Sequence, residues 1–167
     1  MNKWIVPSIL SLSLLVSCAK PKYRSEEGGF AVSFKGIPQE NTENVATAHG
    51  DIAVTMFLDE VSPDMVYLVG YSDYPEAVLA ATSPEAHLMK TAENVAESVK
   101  GTLSDVKKNS VNGFPSLDFR SVGNPFSVAY RLIIRSTRMY QVGIMKQKEA
   151  IKDSEIQGFI ETFEILE

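Results

Sequence analysis

Phe126-Ser127-Val128-Ala129-Tyr130-Arg131-Leu132-Ile133-Ile134-Arg135 is followed, after Ser136-Thr137, by Arg138-Met139-Tyr140-Gln141-Val142-Gly143-Ile144-Met145-Lys146. In the first run Phe126, Val128, Tyr130, Leu132 and Ile134 fall at every second position, the period of a strand with one face inward. Ser136-Thr137 turns that strand into the second. Upstream, Thr102–Val111 and Phe114–Val122 flank Asn112-Gly113, the dipeptide that best fits a two-residue hairpin turn. Consecutive strands joined by tight turns predict an antiparallel sheet.

Working toward the N-terminus, Ser83-Pro84-Glu85 reads as a helix start, with a serine cap, proline at the first helical position and an acid in the first turn. Leu88, Ala92, Val95, Ala96 and Val99 keep helical spacing, and Gly101 stands where a C-terminal cap belongs. Pro75 to Ala81 reads as a short helix or irregular lid. Ile52, Val54, Met56 and Leu58 alternate as a strand, Ser62-Pro63-Asp64 is turn chemistry, and Met65–Tyr71 is a strand apolar on both faces. Phe30–Phe34 is an opening strand, and the polar residues from Gly36 to Gly50 read as a long loop. At the other end, Ile156, Phe159, Ile160 and Phe163 mark an amphipathic helix capped by Asp153 or Ser154, and Phe163–Leu166 a short edge strand. A sheet apolar on both sides needs cover on both sides. The expected fold is therefore α+β, an antiparallel sheet with a helix on each face, an α/β/α sandwich.

The first 17 residues have another character. Lys3 precedes an apolar run from Trp4 to Val16, too short for the roughly 20 residues of a membrane-spanning helix. The run closes on Leu15-Val16-Ser17-Cys18, the pattern of a bacterial lipobox. Residues 1–17 are expected to be a lipoprotein signal peptide, and 18–29 a lipidated Cys18 with its tether. Residues 30–167 are expected to form one domain. Cys18 is the single cysteine, so lipidation with palmitate-like chains accounts for it and leaves no disulfide. Two acyl chains give stable attachment. Ala19 and Lys20 follow, with no Asp directly after the cysteine, which in a two-membrane envelope points to the outer membrane and a domain facing the periplasm. Without the leader the chain has 15 Lys and Arg against 21 Asp and Glu, a net of −6. That balance disfavours nucleic acid as a partner.

Several short stretches resemble the PsbP-like family, whose wider fold group includes the Mog-type proteins. Phe30-Ala31-Val32-Ser33-Phe34-Lys35-Gly36-Ile37-Pro38 is similar to that family's opening strand, with Lys35 in place of a proline. Val69-Gly70-Tyr71-Ser72-Asp73-Tyr74-Pro75 resembles its strand ending in Tyr-x-Asp-x-Pro. Asn112-Gly113-Phe114-Pro115-Ser116-Leu117-Asp118-Phe119 resembles its Gly-x-Pro-Gly-x-Glu segment, departing at Ser116 and Asp118. Arg138–Val142 and Phe159–Phe163 match two closing motifs. The resemblance implies the sandwich and a non-catalytic accessory or binding protein at a membrane. It transfers no site residues.

Reaction chemistry is thinly represented. Gly70-Tyr71-Ser72-Asp73-Tyr74 has the outline of a nucleophile elbow but lacks its second glycine. His49 and His87 show no ligand spacing, and Asp59, Glu60 and Asp64 lack the calcium-loop pattern. No metal or cofactor is expected. Arg120, Arg131, Arg135 and Arg138 lie on successive strands and would form a basic stripe for carboxylates or phosphates if aligned; cross-strand pairing with Asp118 is the competing expectation. Tyr67, Tyr71, Tyr74, Tyr130 and Tyr140 would floor a groove or line a contact surface; core or sheet-face positions are the competing expectation. The expected function is a lipid-anchored, non-catalytic domain that binds another envelope protein. The alternative is a small-ligand carrier with a pocket between the sheet and helix 83–100.

Overall fold

A computed structural model of the chain describes residues 21–47 and 50–167. The leader, Cys18 and His49 lie outside the described residues. The first half contributes strands β1 (Tyr23–Ser25), β2 (Phe30–Val32), β3 (Gln39–Thr47), β4 (Gly50–Ser62) and β5 (Met65–Asp73), then helices α1 (Glu76–Ala80) and α2 (Pro84–Ser98). The second half contributes β6 (Thr102–Val111), β7 (Phe114–Val122), β8 (Phe126–Arg135) and β9 (Arg138–Gln147). Helix α3 (Asp153–Gly158), a 3₁₀ turn over Ile160–Thr162 and β10 (Glu164–Ile165) close the chain.

Seven strands form one antiparallel sheet in the order β3-β4-β5-β9-β8-β7-β6, and β1-β2-β10 form a second. The meander read from 102 to 146 is present, with Asn112 and Gly113 both at positive φ in the β6–β7 turn. Ile133 pairs with Tyr140 and Asp118 with Arg131.

The expected α/β/α sandwich is corrected. One face of the large sheet carries α2, with Leu88, Ala92 and Ala96 buried against β6–β8. The other face is covered by the small sheet, the six-residue α3 and the 3₁₀ turn, so the domain is mostly β and not helical on both sides. The reason lies in the C-terminal apolar residues. Phe159 stacks on Tyr67 at 4.3 Å and meets Phe34 at 5.2 Å, while Phe163 stacks on Phe30 at 5.7 Å and meets Tyr140 at 5.5 Å. Reaching both sites breaks the helix at Phe159, whose φ of −133° is non-helical. The helix start also differs: Glu155 accepts from the Lys152 N–H at 2.7 Å, and Asp153 turns to Arg120.

Two further expectations change. The polar residues 39–47 form β3, an edge strand whose described side chains are all exposed, so they have no apolar alternation to reveal them. The segment read as tether is partly domain. Tyr23–Ser25 pairs with β2, and the Tyr23 ring lies 5.6 Å from Phe34 and 5.7 Å from Phe57. The Gly28 carbonyl accepts from the buried Tyr140 hydroxyl at 3.0 Å, and a Cβ at Gly28 would meet the Phe30 ring at 2.6 Å. Gly28 is there for close approach, not flexibility.

Helix α2 ends one residue earlier than its glycine suggests. Lys100 takes the left-handed position at φ 54°, and the Gly101 N–H returns to the Ala96 carbonyl at 2.8 Å. Gly101 instead permits contact with β7, since a Cβ there would stand 2.3 Å from Ser121 Oγ. Lys100→Gly relieves the left-handed strain of an exposed residue, and a gain of about 0.5 kcal/mol is expected in urea titrations.

Candidate functional site

The sheet face beneath the small layer carries a row of charge. Alternation along β7, β8 and β9 places Arg120, Arg131, Arg135 and Arg138 on that face with Asp118 and Lys146. The four arginines do share one sheet face, and each already holds a partner.

Arg131, 7% exposed, forks onto Asp118 with two bonds of 2.7 Å and reaches Glu161 at 3.0 and 3.2 Å. These bonds raise its pKa further above the ordinary arginine value, against the opposing effect of burial. Arg138 forks onto Asp73 at 2.6 and 2.7 Å, donates to the carbonyls of Glu27 and Gly28, and lies 4.5 Å above the Tyr71 ring. Arg135 donates to the Leu166 carbonyl at 2.7 Å, and Arg120 to the Ile151 carbonyl at 3.1 Å and to Asp153. Lys146 meets Glu149 and Glu155. The stripe is a set of fasteners. It ties the N-terminal segment at Glu27 and Gly28, and the C-terminal segment from Glu149 to Leu166, onto the large sheet.

Asp59 does the same without a cation. It is buried, and its carboxylate accepts from the backbone N–H groups of Lys35 and Gly36 at 2.8 and 2.9 Å. Glu60 is exposed and alternation turns it to the opposite face, so Asp59 and Glu60 do not act together. Tyr71 and Tyr74 are likewise separated: Tyr71 packs under Arg138, whereas Tyr74 meets His87 edge-on at 5.1 Å in the α2 cluster. They form no common floor. Burial lowers the His87 pKa, and Ser72 is an interior strand residue opposite Val54 and Met139. Among the described residues no group of three His, Cys, Asp or Glu stands close enough to hold a metal.

The proposed helix–sheet pocket is largely filled. Leu88, Ala92 and Val99 pack in one cluster with Leu117, Phe119, Tyr130 and Leu132. An open groove of about 520 Å³ runs past Ala96, Gly101 and Leu103 at the helix end. A cavity of about 140 Å³ under Asp118, Arg131 and Glu161 is below the size of ordinary ligand sites, about 300 Å³ and upward.

A further surface, not expected from the sequence, lies on the β3–β4 half of the α2 face. Alternation puts Val45, Val54, Met56 and Leu58 together there, with Val45 47% and Leu58 36% exposed. The signal for it is the β4 alternation; the neighbouring β3 is polar and carries no alternation of its own.

Asp73 and Glu155 give the domain an acid-sensitive edge. The Arg138 hydrogen bonds lower the Asp73 pKa more than its partial burial raises it. Burial raises that of Glu155, but the Lys152 N–H and Lys146 outweigh it and the net direction is down. A carboxylate with a lowered folded pKa stabilises the domain above the ordinary carboxylate range, and that contribution is lost as pH falls through the folded value. The urea midpoint is expected to drop below about pH 4, and Asp73→Asn to flatten that acid limb while lowering the neutral plateau.

No family model matches the chain, and no curated protein does. A solved structure of a Pseudomonas aeruginosa protein of unknown function is similar at 12% identity, covering 81% of this chain and 85% of that one, with a TM-score of 0.35. A likeness at that level carries no argument about fold or function.

Proposed function

We propose that this chain is a lipid-anchored accessory domain of the bacterial cell envelope, held by Cys18 at the periplasmic face of the outer membrane, and that it recognises another envelope protein rather than turning over a substrate. The observation that carries the reading is the division of labour between the two sheet faces. The charged face is spent on fastening the chain ends. The α2 face keeps a partly open apolar strip of Val45, Met56 and Leu58, the kind of surface a protein partner covers. The lipobox Leu15–Cys18 supplies the address, and the packed α2 interior favours a protein partner over a small ligand.

Two measurements test it. Cys18→Ser is expected to release the protein from the membrane fraction, and retention as firm as wild type would remove the anchor from the reading. In-cell cross-linking is expected to recover one recurring envelope protein, lost on Leu58→Glu with the urea midpoint kept. A folded, membrane-bound protein with no recurring neighbour would overturn the binding role.

A further inference from the structure

The two edges of the large sheet are treated differently. Edge strand β6 has a register break between Ser104 and Lys107, Asp105 at φ 51°, and Lys107 and Lys108 in the middle. Bulges and lysines are the usual means of keeping an edge from pairing. Edge strand β3 has none of them. Its register with β4 runs unbroken from Gln39 opposite Leu58 to Thr47 opposite Gly50, and it contains no lysine or proline. Among the described residues β4 is its only strand neighbour.

We propose that a second copy of this chain occupies that edge, β3 against β3 and antiparallel about a two-fold axis at Thr42, so that two seven-stranded sheets become one. A two-fold contact requires a self-complementary strand, and Glu40-Asn41-Thr42-Glu43-Asn44 is one. Centred on Thr42, Glu40 faces Asn44 of the copy and Glu43 faces Asn41, each twice. Every carboxylate meets an amide donor, and a pairing of this kind already exists locally, where Asn41 Nδ2 donates to Glu43 Oε1 at 3.0 Å. Centred on Glu43, the strand would oppose that carboxylate to itself, and like charges directly opposite are unfavourable. Centred on Asn44, it would set Glu43 against Val45. Behind the axis, Thr42 is held by a hydroxyl contact of 3.0 Å to Thr55.

The symmetry also suits one membrane. The axis of an antiparallel strand pair stands perpendicular to the sheet, and β1 lies on the face opposite α2. Both β1 strands therefore lie on the same side of the joined sheet, and both α2 faces look the other way. An edge of this length is a modest interface, so confinement to one surface supplies the effective concentration. The orientation rests on the lipid-anchored reading; the pairing rests on β3 alone.

The test uses the full-length, lipidated protein in its membrane, where Cys18 is blocked and an introduced cysteine is the only thiol. Directly opposed residues stand within disulfide reach. Mild oxidation of Thr42→Cys is expected to give a disulfide dimer. Val45→Cys, which faces Gln39 of the copy, and Lys108→Cys on β6 are expected to stay monomeric. Adding Asn44→Glu to Thr42→Cys opposes glutamate to Glu40 at two symmetric sites, and about a tenfold loss of dimer is expected. Equal cross-linking at 42, 45 and 108 would mean chance collision and would overturn the proposal. So would a yield that peaks at Glu43→Cys or Asn44→Cys, or a folded Thr42→Cys protein that forms no dimer.

Discussion

Phe159→Ala is expected to lower stability by about 4 kcal/mol, the cost of removing a fully buried ring together with the cavity it leaves. The ring is 0% exposed and sits between Phe34 of the N-terminal segment and Tyr67 of β5. It thus joins three parts of the chain that are remote in sequence. Phe159 also marks the break between α3 and the 3₁₀ turn, so the site cannot close by sliding a regular helix. At about 3 °C per kcal/mol for a domain of this size, the thermal midpoint should fall by about 12 °C. Calorimetry measures this directly. A fall of less than about 3 °C would mean that the small layer adds little to the cooperative unit, and a midpoint unchanged with lost near-ultraviolet signal would mean that it melts separately.

Arg131→Met should cost about 3 kcal/mol, because it leaves Asp118 and Glu161 facing each other without their shared cation. The loss is tempered by water. The side chains of Asp118 and Glu161 remain 25% and 48% exposed, against 9% for Arg131. Charge alone does not replace the arginine: a lysine cannot fork onto Asp118 while holding Glu161, so Arg131→Lys is expected to recover only part of the stability. Pairing Arg131→Met with Asp118→Leu should be strongly non-additive, the double variant lying closer to wild type than either change predicts. Urea midpoints of the four proteins form the cycle. Simple additivity would show that Asp118 and Arg131 do not act as a unit.

These two sites also mark how far the primary structure could be read. Periodicity found the strands from Ile52 to Leu58 and from Phe126 to Lys146, and cap chemistry found α2, since each signal lies within a few neighbouring residues. It failed at β3, where a strand wet on both faces carries no alternation, and at Tyr23–Ser25, whose strand exists because β2 and the Phe34–Phe57 cluster receive it. The arginine row was visible by spacing. The cross-strand pair of Arg131 with Asp118 was visible with it; the fastening of the chain ends was not, because the groups that do it, Asp153, Glu161 and the carbonyls of Gly28, Ile151 and Leu166, lie up to 110 residues away.

The linear chain by itself determined the antiparallel meander and the helix that starts at the Ser83 cap, because hydrophobic period, turn chemistry and capping are local properties of the backbone. Only the tertiary structure decided what covers each sheet face, which arginines are already spent, and which sheet edge is interrupted by a register break. Those outcomes depend on where the two ends of the chain settle on the sheet, and that placement is set by ring packing and ion pairing between segments far apart in sequence.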